Sequence, residues 1–172
     1  MNRAARLPAF LLVFALAACG AERANPAAQA AVEPPSDAAC ALDGMLLADF
    51  PGPKAQIHYA GASAPDFFCD TVEMFHLVLA PEQVRAVQGI YVQDMGAADW
   101  DAPSGHWIDA KTAWYVVGSK RRGSMGTTIA SFAAEAAARK FAADYGGQVH
   151  PYTGITADMA VLDGGALHDT HM

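Results

Sequence analysis

Cysteine is scarce in this chain: three in 172 residues, at positions 19, 40 and 69. The 29-residue separation of Cys40 and Cys69 fits neither a C-x-x-C redox motif nor a four-cysteine zinc site. Positive charge is thin as well. Lys and Arg number 11 against 18 Asp and Glu, a formal charge of -7, and Lys120-Arg121-Arg122 is the only basic cluster. With no basic stripe studded by aromatics, a nucleic-acid surface is excluded. The oxygen-rich loops that calcium or magnesium would need are missing. So are the Gly-Lys-Ser/Thr end and the G-x-G-x-x-G spacing of phosphate-binding loops.

The N-terminus supplies the first positive signal. Arg3 and Arg6 precede an apolar run, Leu7 to Ala17, that is too short to span a bilayer, so residues 1–18 read as a signal peptide. Leu16-Ala17-Ala18-Cys19 has the look of a bacterial lipoprotein signal, with cleavage before Cys19 and acylation of its thiol. Removing 18 of 172 residues leaves 154, and losing Arg3 and Arg6 takes the charge from -7 to -9. Residues 19–39, rich in Ala and Pro, read as a flexible tether between lipid and domain.

From residue 40 the pattern is α+β. A short strand is expected at Met45–Asp49, a turn at Pro51-Gly52-Pro53 and a returning strand at Ala55–Tyr59. Asp70-Thr-Val-Glu73 has capping-box spacing and opens a helix that Pro81 ends, with Met74 in its core-facing side. Cys69 precedes that helix, where unpaired amides favour a thiolate. Gly89–Met95 reads as a strand running into a turn that carries Asp94 and Met95; Trp100–Trp107, with His106, reads as a loop. Ala113–Val117 is the clearest strand. Thr128 is expected to cap a long helix through about Asp144, ended by Gly146-Gly147 before a last strand at Gln148–His150. Strand, glycine-containing turn, helix and strand thus occur twice, which predicts two small strand-helix-strand modules packed together, at 40–110 and 111–160, followed by a tail at 161–172 holding His168, His171 and Met172.

The chemistry-bearing residues of the mature chain are soft. Cys40 and Cys69, Met45, Met95 and Met125, with Met159, His58 and His150 at the margin, suit Cu(I), which accepts two or three ligands of thioether, thiolate or imidazole type. Met125 is set between glycines in Gly123-Ser-Met-Gly126, as a side chain positioned at a turn; a methionine filling a gap there is the alternative. A Cys40–Cys69 disulfide is the structural alternative to metal binding. No electron-transfer copper spacing is present, so a carrier role fits better than redox chemistry.

Leu16-Ala-Ala-Cys19, Asp43-Gly-Met45 with Pro51-Gly-Pro-Lys-Ala-Gln-Ile57, Phe68-Cys-Asp70, Tyr91-Val-Gln-Asp-Met95, Ala113-Trp-Tyr-Val116, Gly123-Ser-Met-Gly126 and Ala138 through Gly147, in this order, resemble the NosL family of copper-binding lipoproteins accessory to nitrous oxide reductase. The resemblance implies a NosL/organomercurial lyase-like α+β fold and a non-enzymatic, lipid-anchored periplasmic carrier at the outer membrane. It implies one Cu(I), supplied to nitrous oxide reductase together with its copper-assembly or membrane transport factors, with a homodimer left open. The chain departs from the family at its opening motif: Cys-x-x-Cys-Gly-Met in many relatives is Cys40-Ala-Leu-Asp43-Gly-Met45 here. The expected metal set therefore leans on Met45, Met95 and Met125, completed by Asp94 or a histidine, with Cys40 and Cys69 as thiolate candidates. The alternatives are a structural assembly lipoprotein and an organomercurial-lyase-like enzyme, the latter requiring more than one reactive thiol near a carboxylate.

Overall fold

The structure, a computed structural model, describes residues 29–162. Cys19 and the tail residues His168, His171 and Met172 lie outside the described residues.

Four strands form the first sheet in the order β2-β1-β3-β4: β1 (Ala55–Tyr59), β2 (Asp66–Phe68), β3 (Val87–Gln93) and β4 (Trp107–Asp109). All pairs are antiparallel. Every residue of β1 is buried, so both faces of this central strand are covered. Ala55, Ile57 and Tyr59 belong to an apolar core, while Gln56 and His58 alternate to the other face. There the Gln56 amide both accepts from Val32 N and donates to Val32 O (3.0 and 2.9 Å), which draws residues 29–33 of the expected tether against the sheet. His58 Nε2 meets Gln56 Oε1 at 2.8 Å, and burial lowers its pKa.

Helix α1 (Thr71–Val78) packs on this sheet, and its entry follows from sequence. Asp70 is the N-cap, its carboxylate accepting from Val72 N at 3.0 Å. Met74 and Phe75 are fully buried, and Pro81 falls two residues beyond the C-cap Leu79.

The second sheet has the order β8-β5-β9, from β5 (Trp114–Val117), β8 (Ala130–Phe132) and β9 (Gln148–Pro151), again antiparallel. Between β5 and β8 lies a hairpin, β6 (Arg122–Gly123) and β7 (Gly126–Thr127), with Ser124-Met125 as its two-residue tip. Helix α2 (Glu135–Tyr145) covers the second sheet and ends at Gly146, whose φ of 78° is the left-handed geometry glycine provides.

Two sequence expectations are corrected. The long helix from Thr128 does not form: Ala130–Phe132 pair with Trp114–Val116 as an edge strand, and the helix starts only after the N-cap Ala134. Burial decides it, because Ile129, Ala130, Ser131 and Phe132 are all buried, a run that a helix exposing one side could not bury. Met45–Asp49 is likewise no strand. Leu46 makes one bridge to Ala39, and Leu47–Asp49 close into a 3-10 turn that sinks Leu47 into the core.

Two apolar clusters result. The larger combines β1, α1 and β3 with Tyr115, Ile129, Ile155 and Ala160; the smaller gathers Val116, Ala130, Phe132 and Ala138 with Trp100, Trp114 and Phe141. Strand β5 separates them, turning Tyr115 and Val117 to one and Trp114 and Val116 to the other. Among the described residues no helix is long and apolar enough to cross a membrane.

Candidate metal centre

Chain reversal brings the distant cysteines together. Cys40 opens a tight loop closed by Cys40 N donating to Met45 O (2.8 Å) and Gly44 N to Cys40 O (2.9 Å). Ala41 N donates to Phe67 O, tying this loop to β2, and Cys69 follows β2 directly. One turn into α1, Glu73 points back. The ligand atoms of Cys40, Cys69 and Glu73 all lie within 4.8 Å of one another, and all three residues are buried. Among the described residues this is the group of Cys, His, Asp and Glu side chains positioned to hold a metal ion. Both thiols are free, so the disulfide alternative is not realised.

Glu73 organises the cluster. Its Oε2 accepts from Cys40 Sγ (2.9 Å) and Cys69 N (3.1 Å), and its Oε1 accepts from Ser124 Oγ (2.8 Å). Capping-box spacing points Glu73 back toward the amides before the helix, and it reaches Cys69 N, one residue ahead of the cap. The Cys69-to-Glu73 spacing is therefore the sequence signal that places this carboxylate beside the thiols, and Glu73 is the site residue that the soft-ligand count passes over.

The two thiols differ. The hydrogen bond from the Cys69 thiol to the Cys40 sulfur lowers the Cys40 pKa, outweighing burial and Glu73, which raise it. The same bond, then burial, pushes the Cys69 thiol far up. The neighbouring sulfur and burial therefore oppose the thiolate expected at Cys69. Its amide is already taken by Glu73, and its Sγ faces the Met45 carbonyl at 3.5 Å.

Behind the pair sits a buried polar layer. Lys54, 3% exposed, donates from Nζ to the carbonyls of Phe50, Pro51 and Cys69. Burial lowers its pKa against the opposing pull of Asp70, Cys69 and Glu73. Asp70 is pushed up to about 6 by burial, despite hydrogen bonds from Thr128 Oγ1 (2.6 Å) and Val72 N.

Other expected ligands fall in two groups. Met45 lies in the Cys40 loop, half-buried, and its carbonyl is 3.5 Å from Cys69 Sγ. Met125 is half-buried at the hairpin tip, next to Ser124 and thus one residue from the Glu73 contact. Asp94 and Met95 are elsewhere. Asp94 Oδ1 accepts from Gly96 N and Ala133 N, closing a turn, and Met95 packs against the smaller core beside Phe132 and Phe141. Neither is brought to the cysteines. His150 and Met159 share a separate cavity of about 460 Å³ with Val117, Gly118, Gly147 and Gln148. His106 is exposed, as expected of a surface residue.

A four-stranded and a three-stranded sheet, each carrying one helix, and a buried thiol pair beside a carboxylate define a small α+β protein with side chains grouped so that they can coordinate a metal ion. A profile of the NosL family matches residues 31–160. The copper-binding lipoprotein NosL of Stutzerimonas stutzeri is 39% identical over 176 residues, covering 96% of this chain and 89% of that protein. That of Achromobacter cycloclastes is 45% identical over 121 residues, covering 68% and 63%. The crystal structure of the copper chaperone NosL from Shewanella denitrificans superposes with a TM-score of 0.72 at 38% identity, over 77% of this chain and 99% of that one. The chain belongs to the NosL family.

Proposed function

We propose that the protein carries Cu(I) in the periplasm and supplies it for assembly of the copper centres of nitrous oxide reductase. The observation that carries this reading is the convergence of two free, buried thiols, Cys40 and Cys69, in a chain whose relatives are copper-binding lipoproteins. Thiolates favour soft metals, and a closed zinc site would ask for four Cys or His ligands where this group offers two thiols and a carboxylate. Both thiols would give up their protons on binding, the metal taking the protons' place. Met45 and Met125 are the thioethers best placed to complete the shell; Lys54 offsets negative charge from behind Cys69.

Cys19 would carry the lipid, and the outer membrane is the proposed location. Partners are the reductase and its copper-assembly or transport factors, with a homodimer also open. The trio of two thiols and a carboxylate meets the geometric requirement set for the organomercurial-lyase-like alternative. NosL kinship weighs against it, and the protein is a carrier rather than an enzyme. An anaerobic Cu(I) titration of the chain without residues 1–19, against a competing chelator and followed by X-ray absorption, tests the proposal. One copper per chain or per dimer with sulfur neighbours is expected, lost in Cys40→Ser and Cys69→Ser. A wild-type chain that takes up no copper in competition with the chelator would overturn it.

A further inference from the structure

The hairpin β6–β7 has only two paired positions, Arg122 with Thr127 and Gly123 with Gly126. A hairpin that short does not hold itself in place. What fixes it is a set of contacts to the start of α1. Ser124 N donates to Asp70 Oδ2 at 3.2 Å, and Ser124 Oγ donates to Glu73 Oε1 at 2.8 Å. Thr128, just past the hairpin, donates to Asp70 Oδ1. At the base, Trp100 Nε1 donates to Arg122 O at 3.2 Å. Gly123 sits so close that a Cβ there would overlap Asp70 Oδ2, so only glycine lets the hairpin lie this near the cap.

One carboxylate therefore faces two ways. Oε2 of Glu73 receives Cys40 Sγ, and Oε1 receives the hydroxyl at the hairpin tip. With metal on the Cys40 sulfur that donation would be lost, while the bonds from Ser124 Oγ and Cys69 N would still hold Glu73.

We infer that Ser124 is a positioning residue: by bonding Glu73 it holds the hairpin tip as a strap, so that the Met125 thioether closes over metal held by Cys40 and Cys69. This rests on the copper reading above and deepens it. Two thiolates alone satisfy Cu(I), and a third, weaker sulfur slows its escape. Mounted on a two-residue tip tied by a few hydrogen bonds, that sulfur can be lifted for transfer without disturbing either core.

The test compares wild type with Ser124→Ala, Ser124→Thr, Met125→Leu and the Ser124→Ala/Met125→Leu double variant. Two quantities are read: the rate of Cu(I) release into excess chelator, and the number of sulfur neighbours by X-ray absorption. Ser124→Ala and Met125→Leu should each speed release about tenfold, the worth of one interaction of this kind, and each should lose one sulfur neighbour. The double variant should be no faster than either single one, and Ser124→Thr, which keeps the hydroxyl, should restore the wild-type rate. Wild-type release and sulfur count in Ser124→Ala, or additive effects in the double variant, would overturn the inference while leaving copper binding by the cysteines intact. A wild-type chain that retains no copper would instead overturn the copper reading, and the strap with it.

Discussion

The two halves of the molecule bury different things. Under α2 the core is alanine and aromatic: Ala138 lets the helix approach the sheet, and Phe132, Phe141 and Trp100 pack ring against ring. Under the N-terminal end of α1, the interior holds Lys54, Asp70, Thr71, Glu73 and Thr128 beside the cysteines. The first arrangement is what hydrophobic burial selects by itself. The second loses hydration for every polar group, and each must find a partner inside. A polar interior of that kind, with all five side chains bonded, marks the region shaped by chemistry rather than by packing.

Mutations can sharpen or break this contrast. The largest effect is expected from Phe132→Ala, which should remove about 3–5 kcal/mol of folding stability while leaving Cu(I) affinity per folded molecule unchanged. Denaturant unfolding and chelator competition on the same samples measure both; an affinity change would mean the cores are not separable. Next comes Asp70. Its folded pKa of about 6 lies above the ordinary value of 3.8, so the stability it contributes is full below that ordinary value and is lost as pH rises through 6. The swing across that window should be roughly 3 kcal/mol, and Asp70→Asn should remove that part of the stability-versus-pH slope. An unchanged slope would show that another group carries it.

Glu73→Gln should weaken Cu(I) retention by about 10- to 100-fold, the scale for partners that orient metal ligands, with far-UV circular dichroism unchanged. Retention at the wild-type level would reduce Glu73 to a helix cap. The smallest expected effect is at the rim, where Arg85 lies 3.4 Å from the centroid of the Tyr59 ring. Arg85→Ala should cost about 0.5–1 kcal/mol of stability and nothing in copper binding. A larger loss in either would extend the polar region further than the structure places it.

How much is legible in the sequence follows the same divide. Local signals serve well: Asp70 as a cap, Pro81 as a stop, Gly146 as the end of α2, and the strands around Ile57, Val92 and Tyr115 are all visible, because turn chemistry and alternation are short-range. The helix expected from Thr128 fails because its first residues carry a stripe that a helix could use, while strand pairing with β5 buries them on both sides. The meeting of Cys40 with Cys69 is not legible from spacing. It depends on the Cys40 loop folding against β2, a contact no periodicity encodes. Lys54 stands in a stretch that carries the family resemblance, but its buried role comes from three backbone carbonyls that only the fold assembles.

Strand β5 carries a last consequence. With alternate side chains committed to different cores, it is a party wall, and neither side can open without exposing one of its faces. The amide protons of Tyr115 and Val116 should therefore exchange with solvent only through global opening, while those at the tip of β6–β7 exchange through local fraying. Wall and tip lie close along the chain, at Val117 and Ser124, yet one opens only with the whole fold and the other by itself.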